Sequence, residues 1–301
     1  MAWVRSALLR LTDYICFGLG RCVPLNSDDY MSMIVKRLWN ASPASLLRAL
    51  HRRWQEWDDK PGWVTVRSGP AAGSQILLPE IYEGAWREML EGTFDAFLYE
   101  AISSQMQLRG AICWDVGAHV GCHSLGFASL GAQVLAFEPN RHSAHRFRLH
   151  QEKNPALARN IRCMQVAVSD RDGEMAFIQS PSMLGGSTGS HLAEALPPSR
   201  KETYLDFERV IVPTVRLDTL IERGEKPPDV IKMDVEGAEF LALQGGRKML
   251  GEKKPFLLIE VHHICLMFHL QKLLLDLGYV TRILNEQNAS ASRCFISGRA
   301  K

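Results

Sequence analysis

The stretch CWDVGAHVGCHSLGFASLGAQVLAFEPN, Cys113 to Asn140, constrains this chain more than any other. It reads as a buried strand, a glycine turn, a helix, and a second buried strand that ends in an acid. In an α/β protein this arrangement holds a nucleotide-type cofactor at the carboxyl end of a central strand. Pyrophosphate recognition asks for Gly-x-Gly-x-x-Gly, so that the phosphates rest on bare backbone N–H groups. Here the turn is Gly117-Ala118-His119-Val120-Gly121, and His119 stands where the middle glycine belongs. A nicotinamide-dependent oxidoreductase is disfavoured on that ground.

A cofactor without phosphate escapes the demand, and S-adenosyl-L-methionine is one. Its sulfonium and ammonium are positive, so Asp115 beside the turn attracts it. Glu138, ending the second strand, is placed to accept both ribose hydroxyls, and it follows Gly117 at close to the ~20 residues this role requires. The competing reading, that Asp115 and Glu138 only cap helices, leaves the glycines unexplained.

The rest of the chain from Ala111 alternates strand and helix, and its strands are near-continuous apolar runs. That implies a mostly parallel sheet covered on both faces. IRCMQVAVSD reads as one strand and AEFLALQGGRKML as one helix. Between Gly173 and Pro227 the alternation fails, and residues 180–205 form a long Gly/Ser/Pro-rich loop of the kind that is usually functional or disordered. Before it, residues 1 to about 60 read as helices, and GWVTVRSG with SQILLP as a β-hairpin. We therefore expect an N-terminal helical extension and hairpin over 1–80 and a cofactor-binding domain over 81–301.

The motifs WDVGAHVGCHSL, AFEPN, VAVSD, IKMDVEGAEFLALQGG and FLLIEVH occur in this order. Together they closely resemble the FkbM family of class I S-adenosylmethionine-dependent methyltransferases, over roughly Tyr82 to Gly278. The resemblance implies a Rossmann-like, doubly wound sheet of seven strands with the last one antiparallel. It implies O-methylation of a hydroxyl on a sugar, a glycosylated metabolite or a polyketide-like product. It also implies a cofactor site made by Asp115, Gly117, His119, Gly121, Glu138, Pro139, Asn140, Asp170 and Asp234. The family pattern has Asn where this chain has His119, and both types tolerate left-handed backbone. Asp170 is placed to meet the adenine amino group, with turn formation before Arg171-Asp172-Gly173 as the rival reading.

Strand alternation puts Lys232, Asp234 and Glu236 on one face, and Glu260 with His262 on another. If the two strands are neighbours, these groups converge beside the glycine turn. Methyl transfer to oxygen needs an aligned acceptor and a group that takes its proton. His262, as a neutral imidazole near pH 7, is the first candidate base, with Asp234 and Glu236 as its catalytic partners. His263, expected to point the other way, and His119 stand in reserve. Glu260 could instead lie deep and pair with Lys232. Asp234, Glu236 and Glu260 also suit magnesium, but the sequence shows no dense acidic triad, so no metal is assigned. Phe94 and Asp95 could cover the methionine end of the cofactor, although a plain helix surface is the preferred reading.

Composition excludes several classes. In 301 residues, 46% hydrophobic and 23% charged, a formal charge of +2 argues against a nucleic-acid partner. Seven scattered cysteines without a C-x-x-C pair favour free thiols in a reducing cytoplasm. No apolar run approaches a membrane span. Arg5, Arg10 and Asp13 interrupt the N-terminal apolar stretch, so a signal peptide is not expected. A helix packed on its own domain is favoured there over a peripheral membrane contact. Two rival functions stand beside sugar O-methylation: methylation of a lipid, peptide or nitrogen acceptor, and a catalytically silent binding subunit. The retained acids and glycines count against silence.

Overall fold

The computed structural model describes residues 62–78, 84–179, 190–195, 208–284 and 294–300. The helices expected before residue 61 and most of the 180–205 loop lie outside them. The described residues belong to a unit running from Pro61 to Lys301. In chain order, strands β1 (Gly62–Thr65) and β2 (Gln75–Leu78) lead through helices α1 (Ala85–Glu91) and α2 (Ala96–Ser103) into β3 (Ile112–Val116). Helix α3 (Cys122–Ser129), β4 (Gln133–Phe137), helices α4 (Arg141–Lys153) and α5 (Pro155–Ala158), and β5 (Ile161–Met164) follow. Next come the strands β6 (Ala167–Val168), β7 (Gly173–Gln179), β8 (His191–Leu192) and β9 (Glu208–Val215). The chain continues with α6 (Leu217–Glu222), β10 (Val230–Met233), α7 (Glu239–Gln244), α8 (Arg247–Lys253) and β11 (Phe256–Val261). It closes with α9 (Ile264–Asp276), β12 (Tyr279–Leu284) and β13 (Cys294–Ala300).

The main sheet has seven strands in the order β12-β13-β11-β10-β3-β4-β5. The run from β11 to β5 is parallel, and β13 lies antiparallel to both its neighbours. Burial on both faces explains the apolar strands. Val134 and Ala136 pack into one core while Leu135 and Phe137 pack into the other, and Leu258 is likewise opposed to Leu257 and Ile259. The sheet is wound outward from β3 through β4 to β5, then restarts at β10 on the other side of β3. That reversal opens a crevice at the carboxyl ends of β3 and β10, where ligands of open α/β sheets bind.

Two expected elements are divided. IRCMQVAVSD is two strands, because Val166 N turns back to Met164 O at 3.0 Å. Its second half, β6, joins a four-stranded sheet of order β6-β9-β7-β8. AEFLALQGGRKML is two helices broken at Gly245-Gly246. A Cβ at Gly245 would lie 2.0 Å from Ser169 O, and one at Gly246 would lie 2.8 Å from Leu217 Cδ1. The glycine pair lets the chain pass the end of β6 and the start of α6.

The hairpin is bonded to α4. Gln75 N donates to Asn154 Oδ1 and Asn154 Nδ2 returns a bond to Gln75 O, both at 2.8 Å. Leu77 N donates to His150 Nε2 at 2.9 Å, and the Arg146 guanidinium donates to Leu77 O.

Candidate active site

Beyond β3 the chain enters a left-handed turn at Gly117, with φ of 79°. A Cβ there would meet Asp234 O at 1.7 Å, so only glycine lets the β3 and β10 ends close together. His119 is also left-handed, at φ 52°. That conformation aims its N–H at Glu138 Oε2, at 2.8 Å, while Asn140 N donates to Oε1 at 2.8 Å. Two backbone donors from opposite sides thus lock the carboxylate at the end of β4. Burial lifts the Glu138 carboxyl to about 7, against the pull of these two N–H groups and of Lys232.

Glu138 forms part of the wall of a cavity of about 420 Å³ at the crevice. Gly117, His119 and Pro139 line the same wall, and Lys232, Asp234, Glu236, Glu260 and His262 line its far side. The parallel pairing of β10 with β11, Met233 beside Ile259, brings the two sets of side chains together. Lys232 Nζ sits 3.6 Å from Asp234 Oδ2 and 3.7 Å from the buried Asp115 Oδ1. Burial works against the ammonium, but the charges of Asp234, Asp115, Glu260 and Asp95 overcome it and hold its pKa above the usual lysine value.

His262 is 8% exposed. Its Nδ1 lies 2.7 Å from Glu239 Oε1, which also accepts from Gly237 N at 3.0 Å. Its Nε2 lies 3.4 Å from Glu236 Oε2, 3.4 Å from Glu260 Oε1 and 3.6 Å from Asp234 Oδ1. Burial disfavours the imidazolium, yet the Glu239 bond and the Asp234 and Glu236 charges outweigh it and raise the pKa to about 10. The sequence pointed to a neutral imidazole and no acidic triad. The structure instead surrounds the imidazole with four carboxylates, of which Glu239, in the first turn of α7, was not singled out from the sequence.

Several residues singled out from sequence lie away from the cavity lining. Asp115 is fully buried, accepts from Ser124 Oγ at 2.6 Å and faces Lys232. Gly121 caps α3 at φ 85°, where a Cβ would strike the Phe147 ring at 2.2 Å. Asn140 caps α4 by accepting from His142 N and Ser143 N. Asp170 is exposed, in the bend before β7. His263 caps α9 by accepting from Cys265 N.

Phe94, read as helix surface, is instead in the cavity wall, with Trp86 and Met89 of α1. His123 was not singled out at all. It is 6% exposed, lines the cavity, and sits 3.1 Å from Tyr99 Oη and 3.5 Å from Asp95 Oδ2. The only signal for it in the sequence is its position two residues after Gly121 at the start of α3.

The strand order, with one antiparallel strand at the β11 side and a crevice between β3 and β10, defines a Rossmann-like class I methyltransferase fold. The chain belongs to the FkbM methyltransferase family, whose methyltransferase FkbM domain matches residues 115–281. It is 30% identical over 152 residues to the hexuronic acid methyltransferase AglP of Haloferax volcanii, covering 50% of this chain and 56% of that protein. It is 31% identical over 182 residues to the 2-O-methyltransferase NoeI of Sinorhizobium fredii, covering 54% of this chain and 70% of that one. The chain thus spans little more than half the length of the first relative. A crystal structure of methyltransferase FkbM from Methylobacillus flagellatus aligns with a TM-score of 0.45 at 19% identity, over 65% of this chain and 45% of that one.

Proposed function

We propose that this protein transfers a methyl group from S-adenosyl-L-methionine to a hydroxyl of a sugar or glycosylated metabolite. The observation that carries the reading is Glu138, clamped by two backbone N–H groups at the cavity wall. Its remaining lone pairs are free to accept from a ribose diol. The residues fit this cofactor rather than a dinucleotide, since His119 fills the middle of the turn. The far wall is also rich in carboxylates, which favour a sulfonium and repel pyrophosphate.

The cofactor, when bound, supplies a methyl group on a positively charged sulfur. The chain's own part is to hold, align and deprotonate. Glu138 and Pro139 hold the ribose end, and Gly117, His119 and Phe94 hold the methionine end. Asp234, Glu236 and His262 border the acceptor side. Because the pKa of His262 is raised, the acceptor proton passes to Asp234, while Glu236 and His262 orient the hydroxyl. Lys232 sets its ammonium 3.6 Å from Asp234 Oδ2. The names of the two relatives, one a hexuronic acid methyltransferase and the other a 2-O-methyltransferase, support a sugar acceptor and transfer to oxygen over a lipid, peptide or nitrogen acceptor.

The five cysteines among the described residues are free thiols, which supports the cytoplasm as the site of action. Among the described residues no helix is long and apolar enough to cross a membrane. The test is calorimetric titration with S-adenosylhomocysteine, together with methyl transfer to a panel of glycosides. Tight binding and transfer to one glycoside are expected. Failure to bind S-adenosylhomocysteine, or tight binding of NAD, sinks the reading.

A further inference from the structure

We infer that Asp234, Glu236 and His262 form a binding site for a divalent cation of the magnesium or manganese class, on the acceptor side of the cavity. One ligand atom from each lies within 4.8 Å of the others. An ion about 2.1 Å from each donor sets neighbouring donors ~3 Å apart and opposed donors ~4.2 Å apart. The observed separations from His262 Nε2, 3.4 Å to Glu236 Oε2 and 3.6 Å to Asp234 Oδ1, fall inside that window.

The posture of His262 is the independent observation. The side chain is nine-tenths buried, and the buried Glu239 holds its Nδ1 from behind at 2.7 Å. That leaves Nε2 directed at the carboxylates, and a bound cation takes the place of the Nε2 proton there. Among the described residues Nε2 makes no hydrogen bond, only the ion-pair contacts at 3.4–3.6 Å. A carboxylate behind a histidine, fixing its tautomer and aiming the other nitrogen at oxygen donors, is the arrangement that supports metal-bound histidine. Asp234 is divided in the same sense, with Oδ2 toward Lys232 and Oδ1 toward His262. The scaffold is stiff because Asp234 and Glu260 stand at the ends of paired parallel strands.

Two carboxylates and one imidazole form a hard, oxygen-rich set suited to magnesium or manganese. Three ligands from one wall leave the remaining coordination positions facing the cavity. Taken with the proposed function, on which this clause alone rests, those positions fit two adjacent hydroxyls of a sugar. The acceptor is then a vicinal diol chelated through both oxygens, one of which the ion polarises.

The test uses the full chain treated with chelator, then titrated with Mn²⁺ alone and followed by electron paramagnetic resonance. Saturable binding of one Mn²⁺ per chain, displaced by Mg²⁺, is expected. Glu236→Gln and Asp234→Asn, both close in shape to the native residue, should weaken it by at least about tenfold. A second measurement needs no variant. Mn²⁺ should broaden the His262 ring resonances at substoichiometric concentration, well before those of the exposed His145. Absence of saturable binding, equal affinity in the variants, or equal broadening of both histidines overturns the site. Titration with S-adenosylhomocysteine in parallel separates the two readings. Cofactor binding without Mn²⁺ binding rejects the metal alone, and the converse rejects the methyltransferase reading alone.

Discussion

Glu239 holds His262 from behind: its Oε1 lies 2.7 Å from Nδ1, and the same oxygen accepts from Gly237 N. One buried carboxylate therefore orients the imidazole and pins the turn that carries Glu236. Glu239 touches no cavity surface and acts through His262. Glu239→Ala should lower kcat by about 10- to 100-fold while S-adenosylhomocysteine affinity stays near its native value. Glu239→Gln, whose carbonyl can accept both bonds, should recover most of the loss. Equal kcat in all three proteins would make Glu239 a packing residue only.

In the proposed function Glu138 holds the cofactor's ribose. Glu138→Ala should weaken binding by roughly 1.5–3 kcal/mol, the scale of hydrogen bonds to a charged group. Its carboxyl is raised to about 7, so it is ionised above that pH and protonated below it. The ribose hydroxyls donate best to the ionised form. Affinity should therefore fall as pH drops through about 7, and Glu138→Gln should flatten that dependence. Calorimetry from pH 5.5 to 8.5 checks both.

His262→Ala and Asp234→Asn should each lower turnover by about 100- to 10,000-fold, the first through lost orientation of the acceptor and the second through lost proton acceptance. The first should leave cofactor affinity almost unchanged. The second should reduce it as well, since the Asp234 charge faces the region of the sulfonium. Normal turnover of both variants on an identified acceptor would remove this cluster from the mechanism.

His150 ties stability to pH. It is buried, its Nε2 accepts from Leu77 N, and its Nδ1 lies 2.8 Å from Val120 O. Burial lowers its pKa from 6.5 to about 4, partly offset by the Val120 bond. The folded value lies below the unfolded one, so the unfolded chain binds more protons between them. Stability is fully present above about 6.5 and lost as pH falls toward 4, by on the order of 2–3 kcal/mol. Urea midpoints at pH 7, 5.5 and 4.5 should decline more steeply for the native chain than for His150→Gln. Parallel declines would assign the acid sensitivity elsewhere.

What the sequence by itself determined was local. The apolar strands, the glycine turn and the acid after β4 were legible because each depends on a period or on spacing within about 25 residues. So did the doubly wound architecture, since alternation of strand and helix admits few topologies. The breaks in IRCMQVAVSD and AEFLALQGGRKML were not legible. Each depends on a neighbour far along the chain, β9 for the first and the Ser169 carbonyl for the second. The same holds for the site. Residue type named His262 as a titrating group, but its pKa is raised by Glu239, Asp234 and Glu236 through space, with Glu260 also beside it. Only the pairing of β10 with β11 and the fold of α7 bring them within 3.6 Å. Phe94 and His123 entered the cavity wall for a like reason. Helix-face periodicity states that a side chain is covered, while the packing of α1, α2 and α3 against one another decides by what.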